Sequence, residues 1–357
     1  MLPYYIMISV PVLIYMLYGG TNQYLNNEKK QKSTLWAFFA ILFLILALRH
    51  KSVGCDLPAY LSRFDSIRNL SFSQIFNAFE KERGYWILNK LIGLVTDNKQ
   101  IFLTVIAAIT LYPIARLYLK QSENALLTIS IFLILPNFAM MFSGLRQAIA
   151  IALVVVSFKF VQEKKLLKFI LIILLAMTFH NTAFIAFLLY PVYHMNITRN
   201  KFLASIPFIV AVLVYNKPIF EFLLEIIGEF GEQYEYEKTD AYTMIILFTL
   251  FVVFAYIAPQ REQMDKNSIG LRNISILCLI LQIFALANPI AMRMNYYFII
   301  FLPILMPKVI NRCSKTNRQI LTYIGFIMAL FFFVYYINLA NRGADILQLY
   351  PYKPFWK

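Results

Sequence analysis

Six polar residues stand at or near the ends of long apolar runs, or in the loops between them: Arg49, Asp56, Glu82, Arg146, His180 and Arg293. Several guanidinium groups gathered below a surface suit a phosphate or diphosphate, because each donates through a fixed planar fork. An imidazole and carboxylates beside them could take a proton from a hydroxyl. Tyr60, Tyr85, Trp86, Tyr296 and Tyr297 could stack on sugar faces or line a lipid groove, and Gln147 directly follows Arg146. The three cysteines, Cys55, Cys278 and Cys313, show no metal-ligand spacing, so the expectation is no metal and no disulfide.

Each of these residues also has a plainer reading. Arg49 could flank a span as an interfacial anchor. Arg146 and Arg293 could be structural, the latter paired with an acid from an outer loop. His180 could end a helix by bonding a backbone carbonyl. Asp56 and Glu82 lie in a loop, where carboxylates are ordinary. Charges inside a lipid-facing chain are nevertheless costly and tend to carry function.

The chain that must position them has 357 residues, 60% hydrophobic and 14% charged, with apolar runs recurring almost throughout. That pattern predicts an all-α polytopic integral membrane protein forming a single transmembrane domain over residues 1–357. We read about twelve transmembrane helices, within a range of roughly 10–13. Among them are Leu35–Leu48, Ala125–Phe142, Gly144–Phe160, Leu166–Phe179, Thr182–Tyr193 and Pro289–Met306. The first run, Leu2–Tyr18, lacks a basic start and is expected to be retained as a span. The net charge of +15 sits in short loops, which is a sidedness signal and argues against nucleic acid. Lys29, Lys30 and Lys32, and the lysine-rich turn from Lys159 to Lys168, mark the cytoplasmic side. Both chain ends are then expected outside.

Two long outer segments follow from this topology, residues 49–100 and 216–240. In the first, Tyr85–Val95 is too short to span and reads as re-entrant or interfacial. In the second, Glu221, Glu225, Glu229 and Glu232 share one helical face, and Phe220, Leu223, Leu224 and Ile227 share the other. The organising element is the hairpin Gly144–Asn181, with Arg146 and His180 at its open end and lysines at its closed end. Its second run is about 14 residues, or about 21 Å, which would leave His180 below the surface of a ~30 Å hydrocarbon layer. The picture is a basic, partly dry site that opens outward and suits transfer chemistry on a lipid-linked diphosphate.

The motifs resemble a known family. They are R-H-K-S-V-G-C-D-L-P-A-Y-L-S-R-F at Arg49–Phe64, E-R-G-Y-W-I-L at Glu82–Leu88, S-G-L-R-Q-A-I-A at Ser143–Ala150, A-M-T-F-H-N-T-A at Ala176–Ala183 and R-M-N-Y-Y-F at Arg293–Phe298. In this order they resemble the EpsG/Wzy-type bacterial polysaccharide polymerases of O-antigen, capsule and exopolysaccharide synthesis. The resemblance implies a GT-C-like membrane glycosyltransferase, independent of metal and of any cofactor, in the bacterial cytoplasmic (inner) membrane. Its active site would face the periplasm or exterior. It would polymerise undecaprenyl-diphosphate-linked repeat units, which serve as glycan donor and acceptor. The lipid bilayer, a chain-length regulator protein and a flippase are the further partners implied.

On that reading Arg146 and Arg293 clamp the diphosphate and Arg49 assists. His180 is the first choice of base, Asp56 the second and Glu82 the third. Gln147 and Tyr296 orient substrate, with Tyr60 and Tyr297 on the sugars. Two other classes fit the charge pattern. A transporter of lipid-linked or free sugars would carry inverted repeats and charges nearer mid-membrane. A membrane O-acyltransferase would take its donor from the inner face. A ligase moving glycan to another acceptor shares the chemistry.

Overall fold

A computed structural model describes residues 2–14, 16–17, 27–227, 241–258, 264–339 and 347–357. Those residues are helical almost throughout, with one isolated antiparallel bridge between Arg49 and Pro354. Five helices among them are long and apolar enough to cross a membrane, and eight if each of three bent pairs counts as one span. Three shorter apolar helices accompany them, and the chain is a polytopic membrane protein.

In chain order the helices are α1 (Leu2–Ile14), α2 (Glu28–Ala47), α3 (Leu57–Arg68), α4 (Phe72–Ala78), α5 (Arg83–Gly93), α6 (Lys99–Gln121), α7 (Ala125–Ile134), α8 (Pro136–Ser143), α9 (Leu145–Gln162) and α10 (Leu166–Met177). A 3-10 helix, Asn181–Leu188, precedes α11 (Leu189–His194), α12 (Arg199–Val214), α13 (Asn216–Ile227), α14 (Tyr242–Ile257), α15 (Lys266–Phe284), α16 (Ile290–Ile299), α17 (Leu302–Asn311) and α18 (Lys315–Leu339). The contacts divide the chain into two compact units, Met1–Phe184 with Lys315–Lys357, and Ile185–Ser314.

In the first unit α9 and α10 pack as the expected hairpin, and α6 lies against both α2 and α9. The turn of the hairpin is held by Glu163, which pairs with Lys165 at 2.7 Å and Lys159 at 3.7 Å. The outer segment folds into α3, α4 and α5. Apolar residues at Leu57, Tyr60, Leu61, Phe64 and Ile67 give α3 one buried face. That face packs with Tyr85, Trp86 and Ile92 of α5 and with Phe102, Leu103, Ile106, Leu145 and Ile149, at the starts of α6 and α9. Phe64 and Phe102 stack at 4.4 Å. α4 starts with a reciprocal cap: the Gln74 amide donates to Ser71 Oγ, and the Ser71 amide donates to Gln74 Oε1. The expected short apolar run here is the eleven-residue α5.

In the second unit α15 is central, touching α11, α14 and α16. Gly270 lies under the Tyr193 ring, where a Cβ would sit 2.3 Å from ring carbons. The Asn295 amide of α16 donates to the Cys278 carbonyl of α15 at 2.9 Å.

Several elements differ from the sequence reading. α2 starts at Glu28, because Asn27 caps it by accepting from the Lys30 amide at 3.0 Å. Lys29, Lys30 and Lys32 therefore stand on its first turns and not in a loop. The run Ala125–Phe142 is broken: α7 and α8 meet at 60°. The residue before a proline is driven out of the helical region, and Leu135 before Pro136 is extended. The run Pro289–Met306 is likewise broken, with α16 and α17 at 47°. The segment Thr182–Tyr193 is a 3-10 helix that passes into the six-residue α11. Of the second outer segment, α13 is described and bends 82° away from α12, while residues 228–240, with Glu229 and Glu232, lie outside the described residues.

Candidate functional site

Glu82 is the centre of the polar cluster. It precedes α5 in a left-handed conformation, φ 57° and ψ 36°, which a non-glycine residue adopts at a cost of order 1–3 kcal/mol. Its surroundings hold it there. One carboxylate oxygen accepts from Arg146 Nη1. The other meets His180 Nδ1 at 2.5 Å and accepts the Asn181 amide at 3.2 Å. The Glu82 side chain is only 8% exposed, against 16% for His180 and 30% for Arg146.

Three elements bring these groups together. Arg146 stands in the first turn of α9. His180 follows the last turn of α10, which has 12 residues and rises about 18 Å. Glu82 arrives from the outer segment because Gly84 allows α5 to touch the end of α10. The Gly84 amide donates to the Thr178 carbonyl at 2.9 Å, and a Cβ on Gly84 would lie 2.2 Å from Thr178 Oγ1.

The cluster fixes the orientation of both partners of Glu82. Glu82 accepts at His180 Nδ1, so Nδ1 carries the proton and Nε2 is left as the basic nitrogen. Nε2 makes no hydrogen bond among the described residues. Arg146 donates Nε to the Tyr60 hydroxyl at 3.3 Å and Nη1 to Glu82, while its Nη2 makes no hydrogen bond among the described residues. Its guanidinium carbon also lies 5.8 Å from the Tyr60 ring centre and 5.7 Å from that of Trp86. Burial pushes the Glu82 carboxyl up. The His180 hydrogen bond and charge, the Arg146 charge and the Asn181 amide outweigh that, and hold it below the usual glutamate value.

The other expected residues fall into three places. Asp56 is exposed at the start of α3, one turn before Tyr60, and its side chain makes no capping bond. Arg49 is not in the cluster. It is buried, at 2% exposure, and donates to the Leu46 carbonyl and, at 3.3 Å, to the Phe142 carbonyl. A cation at two helix C-termini satisfies carbonyls that have no partner in their own helices. Gln147 is buried within α9. Arg293, Tyr296 and Tyr297 belong to α16 of the second unit, with Arg293 exposed and both tyrosines buried.

Sequence reasoning missed three contributors. Asn181 acts through its backbone amide, which no side-chain pattern reveals. Arg63 is exposed on α3 with its guanidinium carbon 5.6 Å from the Trp86 ring centre. It lies inside the Arg49–Phe64 motif, and its spacing of three from Tyr60 was the available signal. Ser143 Oγ accepts the Asp56 amide at 3.1 Å and meets Cys55 Sγ at 3.0 Å. No three His, Cys, Asp or Glu side chains converge among the described residues.

No curated protein and no solved structure matches the chain. The EpsG family profile does, over residues 32–354. That stretch contains the outer segment, the α9–α10 hairpin with its clustered Glu82, Arg146 and His180, and the α16 motif, and so the chain belongs to the EpsG family.

Proposed function

We propose that this chain is a polysaccharide polymerase: a GT-C-like membrane glycosyltransferase that joins undecaprenyl-diphosphate-linked repeat units at the outer face of the bacterial cytoplasmic membrane. Family membership supports a polymerase-type membrane protein. The observation that carries the chemistry is the Glu82 carboxylate held between Arg146 and His180.

In this mechanism an acceptor-sugar hydroxyl attacks the donor's anomeric carbon. The new C–O bond forms as the bond from that carbon to the diphosphate oxygen breaks, and the lipid diphosphate leaves with the electron pair. His180 Nε2 takes the hydroxyl proton, and Glu82 stabilises the imidazolium through Nδ1. Diphosphate is a good leaving group and needs charge stabilisation more than an acid. Arg146, aligned by Glu82 and Tyr60, presents Nη2 to it. Glu82 thus acts as an orienting group, since both its oxygens are occupied. Asp56 remains the alternative base. Arg49, Gln147, Tyr296 and Tyr297 are buried and would act by holding their helices.

The test is purified full-length protein in lipid nanodiscs given a lipid-linked repeat unit. A ladder of long chains is expected from the wild type and none from Arg146→Ala. His180→Ala should lose about 100-fold or more in rate, in line with loss of a general base. Normal ladders from Arg146→Ala would remove Arg146 from the mechanism. Transport without new bonds, acylation, or transfer only to a foreign acceptor would overturn the polymerase reading.

A further inference from the structure

Arg146 stands in the first turn of α9, shortly after Phe142–Ser143 in the last turn of α8. That turn is gripped by the loop 49–56. Arg49 donates to the Phe142 carbonyl, and its guanidinium carbon lies 5.7 Å from the Phe142 ring centre. Gly54, at φ +114°, passes so close that a Cβ would lie 2.2 Å from the Phe142 carbonyl oxygen. Cys55 and the Asp56 amide both bond Ser143. The loop itself has no regular secondary structure to keep its shape.

What keeps it is a stretch nearly 300 residues further on in sequence. Leu347–Lys357 runs alongside the loop and pairs with it through the backbone. The His50 amide donates to the Lys353 carbonyl at 2.8 Å, and the Phe355 amide to the Leu48 carbonyl at 2.8 Å. The Gly54 and Cys55 amides donate to the carbonyls of Gln348 and Leu347 at 3.0 and 2.9 Å. Two tyrosine hydroxyls complete the clasp, Tyr352 to the Ile45 carbonyl and Tyr4 to the Leu349 carbonyl, each at 3.0 Å. The buried Tyr4 ring stands edge-on to Tyr350 at 4.9 Å and to Phe142 at 6.1 Å, joining the clasp to the same turn through packing.

We propose that the segment Leu347–Phe355 is a positioning element of the catalytic centre. It holds the loop 49–56, which holds Phe142–Ser143, which sets where Arg146 meets Glu82 and the diphosphate. Its effect on catalysis rests on the polymerase reading above. None of its residues is assigned to substrate contact.

The test uses Cys55 as a reporter, in otherwise full-length protein with Cys278→Ala and Cys313→Ala. Three chains are compared: the parent, one stopped after residue 346, and Tyr4→Phe/Tyr352→Phe, which removes two hydroxyl bonds and keeps every ring. Maleimide should alkylate Cys55 about fivefold faster or more in the stopped chain, and at an intermediate rate in the double variant, as expected for local opening. Polymer output per inserted protein should fall about tenfold or more in the stopped chain, since a small misplacement of a binding group is costly. A synthetic peptide of residues 347–357 should restore much of that output, which it would not do for a globally misfolded chain. Unchanged alkylation overturns the clasp. Faster alkylation with undiminished polymer overturns its role in positioning. A parent protein that makes no polymer overturns the polymerase reading, while the alkylation rates still decide whether the segment holds the loop.

Discussion

At the scale of single residues, Glu82 carries the most testable electrostatics. Its carboxyl is held below the ordinary glutamate value by partners that exist only in the folded protein. A depressed carboxyl contributes stability above its unfolded value, about 4.3, and loses it as pH falls through the lower folded value. Glu82→Gln should therefore cost about 1–2 kcal/mol near neutral pH, a figure reduced by the partial exposure of Arg146. The gap between wild type and variant should be fully present above about 4.3 and should shrink as pH falls below it. Unfolding temperatures in detergent on acidification measure it, and a gap that widens as pH falls below about 4.3 would contradict the assignment. Glu82 was legible as a polar residue in the outer segment but not as the hub. Its partner His180 lies 98 positions away, and nothing local in either stretch announces that contact. Arg49 shows a different case. A buried arginine and a phosphate-binding arginine look identical in sequence; only the carbonyls of Leu46 and Phe142 tell them apart.

At the scale of elements, the cluster depends on how closely α5 approaches α10. Gly84→Ala puts a methyl against Thr178 Oγ1, Cβ and carbonyl at 2.2, 2.9 and 3.0 Å, so the helix must retreat. Polymer formation should then fall about tenfold or more, because Glu82 moves away from His180 while the fold persists. Gly325→Ala is the control, since its new methyl would meet only the end of the Leu127 side chain, at 3.0 Å. Equal losses from the two substitutions would refute a specific role for the α5–α10 contact. The helices α9 and α10 were readable from the apolar pattern. The breaks were not read, although Pro136 offered a signal: a proline ends the preceding helix by its effect on the residue before it. The 3-10 stretch after His180 carried no comparable mark in its composition, and its course is set by packing.

At the scale of the whole molecule, sidedness need not depend on the number of crossings. α9 has 18 residues and rises about 27 Å, close to the thickness of a hydrocarbon layer. Arg146 is at one end of it, and the turn with Lys159, Lys164, Lys165 and Lys168 is at the other. Lysine-rich short turns stay on the cytoplasmic side. On the function proposed above, this one helix would put Arg146, and with it Glu82 and His180, on the opposite face. The polytopic class and the family were legible in the sequence because both rest on long runs and ordered motifs. The number of spans was less so, because broken and short helices blur where one crossing ends. The sidedness of the chain can be checked directly in intact cells with a membrane-impermeant maleimide. In a background without native cysteines, Ser71→Cys beside α4 should label at once, and Lys164→Cys only after the membrane is permeabilised. The reverse pattern would place the cluster in the cytosol, where a flipped repeat unit could not reach it. Polymerisation at the outer face would then be untenable whatever the fate of the individual side chains.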